Sequence, residues 1–222
     1  MDRDNSSMRK VSAPKTYFVQ ELGNDTDKEN KTLWIICHGY GQLAEFFSKK
    51  FKSLDLEKNH LVFPEAGNHY YLSGFTGRVG ANWMTKHHRK QEIEDINNYL
   101  SAVYKEFNPI GYRQFVLLGF SQGAYSVVRW MMDKEISCDA MVLWGAQLAE
   151  DYFIRYLERQ KNQKLFLVLG DEDDFIPVEN AEQVLRYYDK NSLDYTKIAY
   201  HGGHDIMDDP LRELQRAILD LR

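Results

Sequence analysis

The chain has 222 residues, of which 43% are hydrophobic and 27% charged, values that fit one sizeable core and argue against a disordered chain. A formal charge of −5 and a pI near 5.8 argue against nucleic acid or an anionic membrane surface as the main partner. The longest uninterrupted apolar run, Leu33 to Cys37, is about five residues against the roughly 18 that a membrane span needs, and "MDRDNSSMRK" lacks the apolar stretch of a secretory signal.

Residues 1–12 are expected to form a flexible tail and 13–222 a single domain, since no internal repeat, low-complexity tract or long linker interrupts the chain. "TYFVQEL" (Thr16 to Leu22) and "TLWIICHG" read as strands. The next segment places Leu43, Phe46, Phe47, Phe51 and Leu54 on one helical face. "HLVFPEA" is a further short strand. Residues 65–89 then break the pattern with four glycines, several aromatics and little periodicity, as a long functional or surface excursion does.

A helix striped by Ile93, Ile96, Leu100, Val103 and Phe107 stops before Pro109. Strand "QFVLLGF" leads to a helix with Ala124, Val127, Val128 and Met131 on one side. Strand "AMVLWGA" precedes a helix around Phe153, Tyr156 and Leu157. Strand "KLFLVLG" runs into an acidic loop, and Pro177 suits the first turn of the helix that follows. After strand "YTKIAY" comes a last helix, with Asp209 expected as its cap and Pro210 at its first position. This alternation predicts an α/β fold with a mainly parallel central sheet covered by helices on both faces. In such sheets ligands sit outside the carboxyl ends of the strands, so the loops there carry the chemistry.

Gly119-Phe120-Ser121-Gln122-Gly123 is a G-x-S-x-G between an apolar strand and an amphipathic helix, the setting of a nucleophile elbow. A Cβ at either glycine would collide with the neighbouring strand or helix. Ser121 would project at a helix N-terminus, where developing negative charge is favoured. A serine hydroxyl needs a base within reach. Of seven histidines, His87 and His88 look solvated, His60 and His69 lie at strand or loop edges, and His38 shapes a turn. His201 and His204 lie in "AYHGGHDIMDD" after the final strand; His204, deeper in that loop, is the expected base. The Gln122 N–H follows the nucleophile and is one expected oxyanion donor; the Tyr40 N–H, in "HGYG", is the other. Four acids, Asp171, Glu172, Asp173 and Asp174, are candidates to orient the imidazole. The segment lacks the spaced oxygen ligands and mid-loop glycine of a calcium site, so no metal is expected.

Taken together, "HGYG", "GFSQGA", "GDEDDFIP" and "GGHDI", in this order, resemble the α/β-hydrolase superfamily, and within it the short carboxylesterases and acyl-protein-thioesterase-like hydrolases. Ala124 stands where that group usually has glycine. The resemblance implies an α/β-hydrolase fold, a Ser–His–Asp triad in the chain order Ser…Asp…His, and metal-independent hydrolysis of esters or thioesters without a cofactor. It assigns Asp173 as the triad acid, with Asp174 the alternative. The chain is too short for a separate lid domain, which leaves a small-molecule ester or thioester substrate in an open site. Phe75, Arg78, Trp83 and Phe175 are the candidates to contact it. Two rival readings are a non-catalytic scaffold used for binding, and an acyltransferase or perhydrolase with the same triad. Two unpaired cysteines in apolar runs, Cys37 and Cys138, suggest a reducing, cytoplasmic compartment. Nothing in the sequence bears on oligomeric state.

Overall fold

The computed structural model describes residues 7–159 and 163–221; part of the expected tail, residues 1–6, lies outside them. Residues 7–18 carry no regular structure. Among the described residues seven strands form the main sheet: β1 (Val19–Leu22), β2 (Thr32–Cys37), β3 (Asn59–Pro64), β6 (Gln114–Phe120), β7 (Ala140–Trp144), β8 (Lys164–Gly170) and β9 (Thr196–Tyr200). Two more, β4 (Asn68–Tyr71) and β5 (Val79–Asn82), make a separate antiparallel hairpin. The helices are α1 (Ala44–Phe47), α2 (Arg89–Phe107), α3 (Gln122–Asp133), α4 (Glu150–Arg159), α5 (Val178–Lys190) and α6 (Asp208–Leu219).

The main sheet runs in the order β1-β3-β2-β6-β7-β8-β9, and only β1 pairs antiparallel. Its strands read as continuous apolar runs because both faces are covered. Leu33, Ile35, Leu117, Leu143 and Leu167 face a core built with α2 to α5, while Trp34, Ile36, Leu118, Trp144 and Val168 face a second core built with α1 and α6. The strand order reverses between β2 and β6, so their carboxyl ends flank a crevice at the centre of the sheet. The fold is therefore the expected α/β architecture.

Five details differ from the sequence reading. β1 begins at Val19 rather than Thr16: past the Val19–Pro64 pair only the Glu65 N–H, donating to the Phe18 carbonyl at 3.0 Å, still ties the two segments together. Residues 44–51 form one α-helical turn followed by a 3-10 turn (Ser48–Phe51), which shifts the phase and leaves Phe46 exposed beneath the Lys49 ammonium. Pro177 caps α5 with extended geometry instead of lying in its first turn, and α6 starts at Asp208 after Met207, two residues ahead of the expected proline. The excursion at 65–89 contains the β4–β5 hairpin, whose strands of four residues are too short to impose a readable period.

Candidate active site

The turn from β6 into α3 is built by steric exclusion. Ser121 has φ 53° and ψ −119°, a conformation that L-residues rarely adopt. A Cβ on Gly119 would lie 2.2 Å from the Ala124 Cα, and one on Gly123 would lie 2.2 Å from the Cys37 carbonyl oxygen. Only glycine at both positions lets α3 approach the sheet this closely. The strained turn is held by the Ser121 N–H, which donates to the Trp144 carbonyl at 2.9 Å. Ser121 is thereby presented at the carboxyl end of the central strand, at the start of α3.

The imidazole comes from the loop between β9 and α6. His204 Nδ1 lies 2.7 Å from Asp173 Oδ2, and the Asp173 side chain is 1% exposed. Its second oxygen, Oδ1, accepts the N–H groups of Phe175 and Ile176 at 2.8 and 3.0 Å. With two backbone N–H groups on Oδ1, Oδ2 is left to accept from the imidazole, which makes His204 Nδ1 the donor and leaves the lone pair on Nε2. Asp174 is exposed, and Asp171 instead engages the exposed His201. The Gly202 N–H and His201 hold the Asp171 carboxyl below its ordinary range, while Asp171 raises the His201 imidazole. These two groups form a solvent-facing pair separate from Asp173 and His204.

His204 lies against residues adjoining the elbow. Its ring is 4.8 Å from that of Phe120, the residue before Ser121, and 4.7 Å from that of Phe175. Gly145, next to the carbonyl that holds Ser121, has φ +55°, and a Cβ there would lie 2.9 Å from His204 Cε1. The histidine loop is fastened by residues that periodicity marks only as core or surface. The Trp144 indole N–H donates to the Asp205 carbonyl at 2.9 Å, the Tyr200 hydroxyl lies 2.8 Å from the same oxygen, and the Lys50 ammonium pairs with the Asp205 carboxylate at 2.6 Å. Burial raises the Tyr200 phenol above its ordinary pKa and keeps it a neutral donor.

Tyr40 lies in the loop after β2. The N–H groups of its neighbours are committed: Gly39 to Gln42 Oε1 at 2.8 Å, Gly41 to the Ala81 carbonyl at 2.8 Å, and Gln42 to the Gly39 carbonyl at 3.4 Å. Among the described residues the Tyr40 N–H has no such acceptor, and the Gln122 N–H is one of the unpaired donors at the start of α3. His38 anchors the loop. Its Nε2 accepts the Ala66 N–H at 3.0 Å, so Nδ1 carries the proton and donates to the Gly39 carbonyl at 2.7 Å. Burial pushes this imidazole down to about 4, which keeps it neutral.

The expected substrate contacts are dispersed. Phe175 is 78% exposed while touching the His204 ring, as a side chain at the mouth of a site would be. Phe75 and Arg78 are exposed in the connection of the β4–β5 hairpin. Trp83 is 1% exposed, and its indole N–H donates to the His38 carbonyl at 2.8 Å. It supports the Tyr40 loop from behind, because its amphipathic ring fills the core beneath that loop. Among the described residues no group of three or more His, Cys, Asp or Glu side chains is arranged to hold a metal ion, and no helix is long and apolar enough to cross a membrane.

A model of the phospholipase/carboxylesterase family matches residues 20–220. Esterase PE8 is similar in structure, with a TM-score of 0.66 at 19% identity, covering 94% of this chain and 100% of that one. Acyl-protein thioesterase 2 from Zea mays gives 0.67 at 14% identity over 92% and 98% of the two chains, and a Bacillus cereus carboxylesterase 0.62 at 14% over 93% and 95%. At such identity the likeness carries the fold alone. No curated protein matches the sequence.

Proposed function

The chain belongs to the phospholipase/carboxylesterase family of α/β-hydrolases, and from that membership we propose that it is a serine hydrolase that cleaves carboxylic esters or thioesters through an acyl-enzyme. The observation that carries the reading is the pairing of His204 Nδ1 with a buried, doubly hydrogen-bonded Asp173, beside the elbow that presents Ser121.

In this mechanism the Ser121 Oγ attacks the carbonyl carbon while His204 Nε2 takes its proton. Asp173 holds the imidazole in the correct tautomer and stabilises the imidazolium as it forms. The N–H groups of Tyr40 and Gln122 receive the negative charge on the carbonyl oxygen. His204 then returns the proton to the departing alcohol or thiol, and a water molecule, activated the same way, hydrolyses the acyl-enzyme and restores Ser121. Phe175 shields the imidazole from solvent on the side where substrate enters, while Phe75 and Arg78 offer an apolar and a cationic contact farther out.

The purified protein should hydrolyse p-nitrophenyl esters and acyl thioesters of graded chain length. Ser121→Ala should lower kcat by roughly 10⁴-fold or more. Wild-type turnover absent across the whole panel, or retained in Ser121→Ala, would contradict the proposal.

A further inference from the structure

The two oxyanion donors come from segments far apart in the chain, the loop after β2 and the first turn of α3. The Gln122 side chain joins them to one strut. Its Oε1 accepts the Trp83 N–H at 2.9 Å, and its Nε2 donates to the Met84 carbonyl at 2.9 Å. The primary amide thus pairs with the backbone beyond β5 as a neighbouring strand would, using both its donor and its acceptor side. Trp83 carries the connection onward. It is buried, and its indole N–H donates to the carbonyl of His38, the residue that opens the loop bearing Tyr40. The same strand meets that loop again two residues earlier, where the Ala81 carbonyl accepts the Gly41 N–H at 2.8 Å. A path of four residues, Gln122, Trp83, His38 and Gly39, therefore runs from the amide beside the nucleophile to the peptide preceding Tyr40.

We propose that the Gln122 side chain is a positioning residue that sets the spacing between the Tyr40 and Gln122 N–H groups, so that they fit the oxygen of the tetrahedral intermediate better than that of the bound carbonyl. This rests on the reading of Ser121 as nucleophile. Donors matched to the transition state raise kcat without tightening substrate binding, and a displacement of about 1 Å at such a site costs on the order of 10²-fold in rate. Without the clamp the Trp83 N–H and the Met84 carbonyl turn to water, and the residues beyond β5 lose their attachment to α3.

The test is Gln122→Met, which keeps the length and bulk of the side chain and removes both hydrogen bonds. The expected result is a fall in kcat of roughly 10- to 100-fold with KM within about threefold of wild type. Inhibition by an acyl trifluoromethyl ketone, whose adduct places an oxyanion between the same two N–H groups, should weaken by a comparable factor. The thermal midpoint of the variant separates this role from support of the fold alone, which would lower stability while leaving kcat and ketone affinity in place. The proposal is overturned by a kcat within twofold of wild type, or by a loss of kcat with unchanged ketone affinity. Full activity in Ser121→Ala would instead signal failure of the nucleophile assignment itself.

Discussion

Asp173 and Asp174 are adjacent, yet the fold gives them opposite surroundings. Asp173 is buried with three hydrogen-bond partners and Asp174 faces solvent. Asp173→Asn should lower kcat by about 10²–10⁴-fold, because an amide opposite Nδ1 favours the wrong imidazole tautomer. Asp174→Asn should stay within about twofold of wild type, and steady-state kinetics on one ester separates the two. A motif register singled out Asp173 in the sequence, but composition alone could not, since four consecutive acids differ only in the direction the turn gives them. His38 supplies a second residue-scale prediction. Its imidazole is neutral in the fold with a pKa of about 4 against 6.5 ordinarily, so between these values the unfolded chain binds a proton that the folded chain refuses. The stabilisation from this site is complete above pH 6.5 and is lost as pH falls toward 4, by at most roughly 3 kcal/mol. His38→Asn should be less stable than wild type at pH 7 and lose less on moving to pH 4.5, as read from urea midpoints. Equal losses in the two proteins would show that another group governs the acid limb.

At the scale of elements, the site depends on how closely α3 meets the sheet. Gly123→Ala would drive a Cβ to 2.2 Å from the Cys37 carbonyl, with backbone on both sides and no side chain to yield. The expected cost is about 3 kcal/mol or more, measured by urea unfolding, with activity lost in any protein that remains folded. A cost below about 1 kcal/mol would mean that α3 can shift, and that the elbow is not sterically fixed. The strands of the main sheet and α2, α3 and α5 were legible in the sequence, because long apolar runs and helical stripes carry a strong period. The hairpin of β4 and β5 was not legible, with four-residue strands and glycines where a turn could begin at several places. The Gln122 clamp was equally hidden: its amide contacts residues 38 and 39 positions back in the chain, a pairing no local pattern encodes. Trp83 looked like a pocket aromatic for the same reason, since its sequence neighbours give no hint that the ring turns into the core.

Across the molecule, the strand order places every proposed catalytic part at the carboxyl ends of the parallel strands. β2 and β6 lie side by side at the switch point and carry Tyr40 and Ser121, while β8 and β9, two and three strands from β6, carry Asp173 and His204. β7 lies between these pairs, and its end supplies both the carbonyl that holds Ser121 and the glycine beneath the His204 ring. The order Ser…Asp…His could be read along the chain, whereas this convergence needed the strand order, which alternation of elements does not specify. On the proposed mechanism this convergence makes Ser121 a nucleophile. Intact-protein mass spectrometry after exposure to a fluorophosphonate tests it most directly. The expected product is a single adduct per chain, located on the peptide containing Ser121, absent in Ser121→Ala and strongly slowed in His204→Ala. An unmodified wild-type protein, or an adduct that persists in Ser121→Ala, would contradict it.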